Sequence, residues 1–147
     1  MRKIPLTLIF IVFIAISCGN AVSSASGKVN PNMQSDITGT WELIRFEDTS
    51  RKMVRTPPED SKTPITITFQ DHKIEGNTAA NSFAGDYSIS SGQIMIENLN
   101  STLVAETPWD ERFLKAFSNG AMSFSVEGDT LKIEYEDSKF MYFKKHL

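Results

Sequence analysis

Apolar and polar residues alternate along several short segments, and this alternation is the feature that most constrains how the chain folds. A period of two sends successive side chains to opposite faces of a strand, so that one face is buried and the other meets water. In the first such segment it places Trp41 and Leu43 on one face and Ile44 and Phe46 on the other. The pattern occurs in TWELIRFE (40–47), ITITF (65–69), MSFSV (122–126) and LKIEY (131–135), while QIMIEN (93–98) and KFMYFKK (139–145) are apolar on both faces.

One segment has the period of a helix instead. In TPWDERFLKAFSNG (107–120), Trp109, Phe113 and Phe117 recur every four residues and form an apolar stripe typical of a helix that contacts a core. Thr107 is suited to cap its start, with Asp110 at the third helical position, and Asn119-Gly120 supplies a stop. We therefore predict one helix between strands.

Short polar turns such as Asp71-His72 and Ser91-Gly92 separate the strands, as is typical of antiparallel neighbours. The predicted fold class is mainly β with one helix (α+β). We expect an antiparallel, strongly bent sheet or a partly open β-barrel with a single helix packed on it, at an open barrel end.

The N-terminal segment has the organisation of an export signal. Arg2 and Lys3 precede an apolar run that ends before Cys18 and is shorter than the about 20 residues needed to span a bilayer. The last four residues of this segment resemble a bacterial lipobox, although Ala15 stands where leucine is usual; cleavage elsewhere, with Cys18 incidental, is the alternative. The predicted organisation is a lipoprotein signal peptide (1–17), a lipidated Cys18 with a flexible tether (18–36), and one domain (37–147).

The charge of the predicted mature chain limits its partners. Without Arg2 and Lys3, the 15 basic residues become 13 against 18 acidic ones, a net charge of −5. An acidic balance argues against nucleic acid as a partner. Membrane attachment through Cys18 and an unknown envelope protein or small ligand are the expected partners. We expect the protein in the bacterial cell envelope, lipid-anchored in the outer membrane.

The stretch GNTAANSFAGDY (76–87) is rich in Gly, Asn and Ala. It follows a strand without opening a helix, which argues against a phosphate-binding loop. We predict a bulged, bent strand in which Gly76 and Gly85 permit a close backbone approach, with a positive φ at the bend and with Asn81 satisfying buried backbone groups. A contact with a ligand is the alternative.

This stretch and the segments after it resemble the META domain, the family of the heat-shock protein HslJ. The family pattern falls on Gly76, Asn81, Phe83, Gly85 and Tyr87, which we take as a fold signature. The resemblance covers about residues 36–145 and includes the opening GTW (39–41), Thr102 and the turn at 128–131.

The chain departs from the family at two positions that belong together. Ala80 and Glu106 stand where many members carry two cysteines, so the chain resembles a member that has lost a disulfide. The resemblance implies an envelope or secreted protein linked to stress or drug tolerance, without an established catalytic site.

Two functions are therefore considered. The first is a non-enzymatic lipoprotein whose domain binds an envelope partner. The second is a lipocalin-like carrier of a small apolar ligand, because Gly39 and Trp41 also match the opening of lipocalin barrels. We expect no enzyme, since His72 lies in a turn and His146 lies beside the C-terminus. No cofactor or metal is expected, because the methionines are scattered.

The candidate binding surface is a long segment between the first two predicted strands. Residues 48–63 are expected to be unstructured and contain Arg51, Lys52, Met53 and Arg55, a basic cluster with apolar residues in an acidic chain. Basic residues there would steer an anionic partner, and Met53 could pack against it. The outer sheet faces are expected to carry no wide apolar patch.

Overall fold

The computed structural model describes residues 36–57, 63–102, 104 and 107–146. Strands dominate these residues, in agreement with the alternating pattern, and one helix interrupts them between the sixth and seventh strands. The elements are β1 (Gly39–Asp48), β2 (Met53–Arg55), β3 (Thr66–Gln70), β4 (Lys73–Asn77), β5 (Ser82–Ser90), β6 (Gln93–Ser101), α1 (Pro108–Phe117), β7 (Met122–Glu127), β8 (Thr130–Glu136) and β9 (Lys139–Lys145).

The strands form one antiparallel barrel. The nine described strands pair in the order β2-β1-β3-β4-β5-β6-β7-β8-β9, and β1 also pairs with β9, so the eight strands other than β2 close into a ring. Strand β9 occupies one edge of β1. The other edge of β1 pairs with β3 near its start and with β2 at its end. The seam between β6 and β7 has only two residue pairs, which leaves the ring partly open there. The predicted fold class is confirmed.

Helix α1 plugs the barrel. Thr107 caps it and Asp110 completes a capping box, as expected, and Phe113 and Phe117 are buried. The ring of Phe113 lies 5.4 Å from that of Phe83 on β5 and 6.3 Å from that of Phe143 on β9. The helix therefore joins opposite sides of the ring through its aromatic stripe, and it fills space that would otherwise separate the strands.

The face prediction for β1 is wrong in one respect. The register between β1 and β9 shifts between Leu43 and Arg45, so Ile44 is an extra residue in a β-bulge. A bulge inserts one extra residue, so each side chain after it points to the face opposite to the one that strict alternation predicts. As a result Trp41, Leu43 and Phe46 all point into the core, where each is at most 3% exposed.

Part of the segment 48–63, which is expected to be unstructured, forms a strand, while its residues 58–62 lie outside the described part of the chain. After a turn that includes Lys52 with a φ of 53°, Met53–Arg55 forms the short strand β2 against Phe46–Asp48. The strand is only three residues long and lies among charged residues and prolines, so its sequence shows no clear alternation. Pairing with β1, rather than the sequence of the segment, therefore determines that it is a strand.

Gly76 and Gly85 lie where another backbone approaches closely. A Cβ on Gly76 would stand 2.0 Å from the carbonyl oxygen of Thr66, and one on Gly85 would stand 2.9 Å from that of Glu97. Neither glycine has a positive φ, so that part of the expectation is wrong. The positive φ belongs to Asn98, because the bulge opposite Gly85 lies in β6 rather than in β5.

Asn81 fastens the loop between β4 and β5 to the segment that leads into α1. Its side-chain oxygen accepts hydrogen bonds from the backbone N–H of Val104 at 2.8 Å and from the hydroxyl of Thr102 at 3.3 Å. Its own backbone N–H donates to the hydroxyl of Thr78 at 3.0 Å. Asn81 is 4% exposed, so these bonds satisfy groups that would be costly to bury unpaired.

Asp110 fastens the same loop to the start of the helix. Its carboxylate accepts from the backbone N–H of Thr107 at 2.8 Å and from that of Ala80 at 3.3 Å, and the residue is fully buried. Burial alone would raise the pKa of Asp110, but its hydrogen bonds with Thr78, Thr107 and Ala80 outweigh burial and hold the pKa below its ordinary value. We call Asn81 and Asp110, with these partners, the latch.

Replacing Gly85 by Val should destabilise the domain, because the new side chain would meet the backbone of β6. We expect a loss of about 1–3 kcal/mol in the free energy of unfolding and a melting temperature lower by roughly 5–10 °C, measured by circular dichroism. Ala84→Val is the matched control, because Ala84 is exposed on the same strand. Equal melting temperatures for the two variants would contradict the close approach.

Asp110→Asn should lower the melting temperature at pH 7, since an amide cannot accept from both N–H groups and loses about 1–3 kcal/mol. The pKa of Asp110 is lower in the folded protein than in the unfolded chain, so its contribution is present above about pH 4 and is lost as the pH falls through the folded pKa. The difference in melting temperature between wild type and variant should therefore shrink between pH 6 and pH 3. Asp137→Asn, at an exposed turn, is the charge-matched control, and a pH-independent difference for Asp110→Asn would contradict the ionised latch.

Candidate functional site

A cleft of about 380 Å³ lies where α1 meets β2 and the turn between β8 and β9. We call it the rim cleft. One wall comes from the end of β1 and from β2, another from the exposed side of α1, and the third from the β8–β9 turn. Its lining residues are Phe46, Glu47, Asp48, Arg51, Met53, Arg55, Pro108, Glu111, Arg112, Lys115, Ala116, Asn119, Tyr135, Glu136 and Lys139.

The floor of the rim cleft is aromatic. Phe46 points inward because of the bulge at Ile44, and its ring meets that of Tyr135 edge-on with centroids 6.1 Å apart. The ring of Trp109 lies 5.8 Å from that of Phe46 on the helix side. Burial raises the pKa of Tyr135, so its hydroxyl stays neutral at physiological pH. The floor is thus apolar with one polar tip, and its accessible surface comes from the half-buried Tyr135 rather than from Phe46, which is 3% exposed.

Three of the four predicted binding residues line this cleft. Arg51, Met53 and Arg55 do so, whereas Lys52 lies in the turn outside it. Met53 is half-buried and Arg55 is exposed. The structure therefore brings most of the predicted basic cluster to one concave surface.

Asp48 organises the turn that carries Arg51. It accepts hydrogen bonds from the hydroxyl of Ser50 at 2.6 Å and from the backbone N–H of Arg51 at 3.0 Å. The Ser50 bond is the main reason why the pKa of Asp48 lies below its ordinary value, and burial opposes it. The guanidinium of Arg51 also lies 3.7 Å from the carboxylate. Asp48 is thus already neutralised within the chain.

Helix α1 contributes cations that were not among the predicted binding residues. Arg112 and Lys115 are three residues apart on the helix and line the rim cleft beside Ala116. The guanidinium carbon of Arg112 lies 5.8 Å from the ring centroid of Phe46 and 5.6 Å from that of Trp109, within the range of a cation–π contact. In the sequence, these two basic residues already lie at helical spacing on the side of the predicted helix away from the apolar stripe. That this side of the helix faces β2 is determined only by the tertiary fold.

The two histidines have structural neighbours away from the rim cleft. The ring of His72 lies tilted against that of Tyr87 with centroids 6.0 Å apart, and Tyr87 also packs edge-on against Phe69 at 5.0 Å. Nδ1 of His146 lies 3.6 Å from the carboxylate of Glu42. Within the described ranges, no group of three or more His, Cys, Asp or Glu side chains is arranged to hold a metal ion.

The remaining members of the predicted fold signature lie in the barrel wall and core. Phe83 is 4% exposed and contacts the rings of Phe113 and Phe117. Together with Gly76, Asn81, Gly85 and Tyr87, it takes part in strand packing or in the latch, and none of the five lines the rim cleft.

The outer face of β9 carries two half-buried aromatic rings. Phe140 and Tyr142 lie on the outside of β9 with ring centroids 6.4 Å apart. Each ring is covered by a cation, since the guanidinium of Arg45 lies 3.7 Å from the centroid of Tyr142 and Nζ of Lys132 lies 4.1 Å from that of Phe140. The aromatic surface on this face is therefore already occupied by side chains of the chain itself.

Several predicted features lie outside the described residues, namely the signal peptide, Cys18, the tether before residue 36, and Glu106. Within the described part of the chain, no helix combines the length and hydropathy that a membrane span requires. Ala80 is described, and its bond to Asp110 joins the β4–β5 loop to the start of α1, next to the second position at which family members carry a cysteine.

Solved structures show the same fold at low sequence identity. An NMR structure of a protein from Burkholderia xenovorans has a TM-score of 0.62 at 18% identity and covers 74% of this chain and 81% of its own. A DUF4847 family protein from Bacteroides vulgatus has a TM-score of 0.58 at 16% identity, with 74% and 93% covered. An uncharacterised protein from Bacteroides eggerthii has a TM-score of 0.52 at 18% identity, with 76% and 100% covered.

No curated protein sequence shows significant similarity to this chain. The sequence model of the META domain, by contrast, matches residues 34–146, which include all the described strands and the helix. The match covers most of the chain and agrees with the signature residues at 76–87. The chain therefore belongs to the META domain family.

Proposed function

We propose that this protein is a non-enzymatic, membrane-anchored lipoprotein of the bacterial cell envelope, whose META domain binds an envelope protein at the rim cleft. The observation that carries the proposal is the cleft itself. Basic side chains from β2 and from α1 meet there over an aromatic floor at an exposed edge of the barrel. Such a combination of cations, aromatic rings and a methionine is typical of recognition surfaces.

The anchor and tether fit this function. Lipidation of Cys18 would hold the chain at the outer membrane, and a flexible tether over residues 19–36 would average roughly 25 Å from end to end. That length lets the rim cleft reach a partner beyond the lipid headgroups. Through the family resemblance, we further propose a role for such binding in stress or drug tolerance.

The carrier alternative, a lipocalin-like cup for a small apolar ligand, has less support. Large side chains that are fully buried occupy the described interior, among them Trp41, Phe69, Phe113 and Phe143. A carrier barrel keeps that space for its ligand. Native mass spectrometry of the protein from its own host separates the two functions, since a carrier would bring an apolar molecule with it.

Cys18→Ser should release the protein from membranes, because the variant lacks the thiol that would be acylated. The expected result is loss of labelling by a radioactive or clickable fatty acid and a shift of the protein to the soluble fraction after cell lysis. Ser17→Ala is the matched control and should leave both unchanged. A Cys18→Ser variant that stays in the membrane fraction with unaltered mobility would contradict the anchor.

Photo-crosslinking in intact cells tests binding at the rim cleft. Val54 is 57% exposed on β2, at the border of the cleft between the lining residues Met53 and Arg55, where a partner protein that covers the cleft would reach it. Met95 is 42% exposed on β6, away from the cleft. A photoreactive residue at position 54 should give one discrete adduct, and the same residue at position 95 should not. Changing Arg51, Lys52 and Arg55 together to Ser should weaken the adduct, with the melting temperature nearly unchanged. The difference from the wild type should be larger at low salt than at high salt, because high salt already screens the basic cluster.

Two outcomes of this experiment would contradict the proposal. Equal adducts from positions 54 and 95 would indicate non-specific capture. An adduct at position 54 that the triple variant leaves unaltered would show that the basic cluster does not contribute to binding.

A further inference from the structure

Within the part of the chain that the structure describes, the rim cleft has an excess of unpaired positive charge, although the numbers of acidic and basic residues that line it are nearly equal. Four acidic and five basic residues line it. Most of the acids are neutralised within the chain, because Asp48 pairs with Arg51, Glu136 with Lys139, and Glu47 with Arg45. These pairs also use two of the five cations of the cleft.

Three cations remain without an ion pair among the described residues. They are Arg55 on β2 and Arg112 and Lys115 on α1, against the single unpaired acid Glu111. Glu111 and Lys115 are four residues apart on the helix, a spacing that allows a pair in solution. Even with that pair counted, neither arginine has an acidic partner among the described residues, so the charge of the cleft favours an anion.

The geometry favours a planar anion attached to an apolar group. Arg112 lies over Phe46 and Trp109, which holds its guanidinium against the aromatic floor. A guanidinium presents two parallel N–H donors that match the two oxygens of a carboxylate. The floor beside it can then take up the apolar part of the ligand, and removal of water there strengthens the charge pairing.

The size of the cleft limits the ligand. A volume of about 380 Å³ is near the lower end of pockets that hold small organic molecules, roughly 300–1,000 Å³. It is suited to a small acid or to the last residues of a peptide, and it is too small for a folded domain to enter.

We infer that the rim cleft binds an organic carboxylate on a small apolar body, held between Arg55 of β2 and Arg112 of α1 with the apolar part on the half-buried Met53 and Tyr135. This inference rests on the proposed function and names the chemical group that the partner would present. The same chemistry has two sources, a free aromatic or aliphatic acid and the C-terminal carboxylate of a protein that ends in an apolar residue.

Fluorescence of Trp109 can report binding directly. Trp109 packs against the floor of the cleft, whereas Trp41, the second tryptophan, is fully buried in the core. The full-length protein, purified in a non-ionic detergent, is titrated with phenylacetate, with the neutral 2-phenylacetamide and with inorganic phosphate. We expect a saturable change with phenylacetate, an affinity at least about tenfold lower for the amide, and no competition by phosphate at equal concentration.

Variants assign the response to the two arginines. Arg55→Gln and Arg112→Gln should each weaken phenylacetate binding by about tenfold or more, with melting temperatures close to wild type. Lys144→Gln removes an exposed cation of β9 outside the cleft and should bind phenylacetate like the wild type. Trp109→Phe should abolish the signal, which confirms its origin.

A pair of peptides distinguishes the two sources of the carboxylate. A tripeptide that ends in phenylalanine with a free C-terminus should bind more tightly than phenylacetate if the partner is a protein end, and its amidated form should bind at least about tenfold more weakly. A free peptide that binds more weakly than phenylacetate would assign the site to a free acid. Both results support the carboxylate.

Other outcomes overturn the inference. Equal affinity for phenylacetate and its amide would mean that the cleft recognises apolar surface alone, and effective competition by phosphate would mean an unspecific anion site. No response to any carboxylate, with the position 54 adduct retained in cells, would refute the carboxylate and leave the proposed function standing. Loss of both would refute both.

Discussion

The closure of the barrel by β1 and β9 is the interaction on which the rest of the structure depends. Because β9 fills one edge of β1 along most of its length, β3 and β2 must share the other edge. The bulge at Ile44 in this ladder turns Phe46 toward the interior. The same pairing that closes the ring therefore places β2 at one end of the barrel and supplies the aromatic floor beside it.

The latch determines where the helix lies relative to that end. The ring has a weak seam between β6 and β7, and α1 is the connection across it. Asn81 and Asp110, both buried, tie the loop between β4 and β5 to the segment that precedes α1 and to the first turn of the helix. With the start of α1 fixed and Phe113 and Phe117 in the core, the helix presents Arg112 and Lys115 to β2. The latch thus positions the candidate binding residues although its own residues do not line the rim cleft.

Electrostatics separates the rim cleft from the rest of an acidic surface. Three of the four carboxylates of the cleft bond to neighbouring groups of the chain, whereas Arg55 and Arg112 have no acidic partner among the described residues. A cation held against aromatic rings loses part of its water and interacts more strongly with an incoming anion. The outer face of β9 provides the contrast, because its rings are already covered by Arg45 and Lys132.

The sequence by itself determined the fold class, the helix and most of the strands. Alternation and capping are local properties, and residues such as Thr107 and Asp110 act within a few positions of each other. The basic residues of 51–55 were also visible in the sequence. Their partners on α1 were not, because Arg55 and Arg112 are far apart along the chain and meet only when the barrel closes.

Only the tertiary structure decided three further features. The bulge at Ile44 reverses the face of Phe46, the bulge opposite Gly85 lies in β6, and Met53–Arg55 becomes a strand. Each depends on the register of a neighbouring strand, which the periodicity of a single segment does not contain. The rim cleft likewise depends on the tertiary structure, because its floor, its β wall and its helical wall come from distant segments that strand pairing and helix packing bring together.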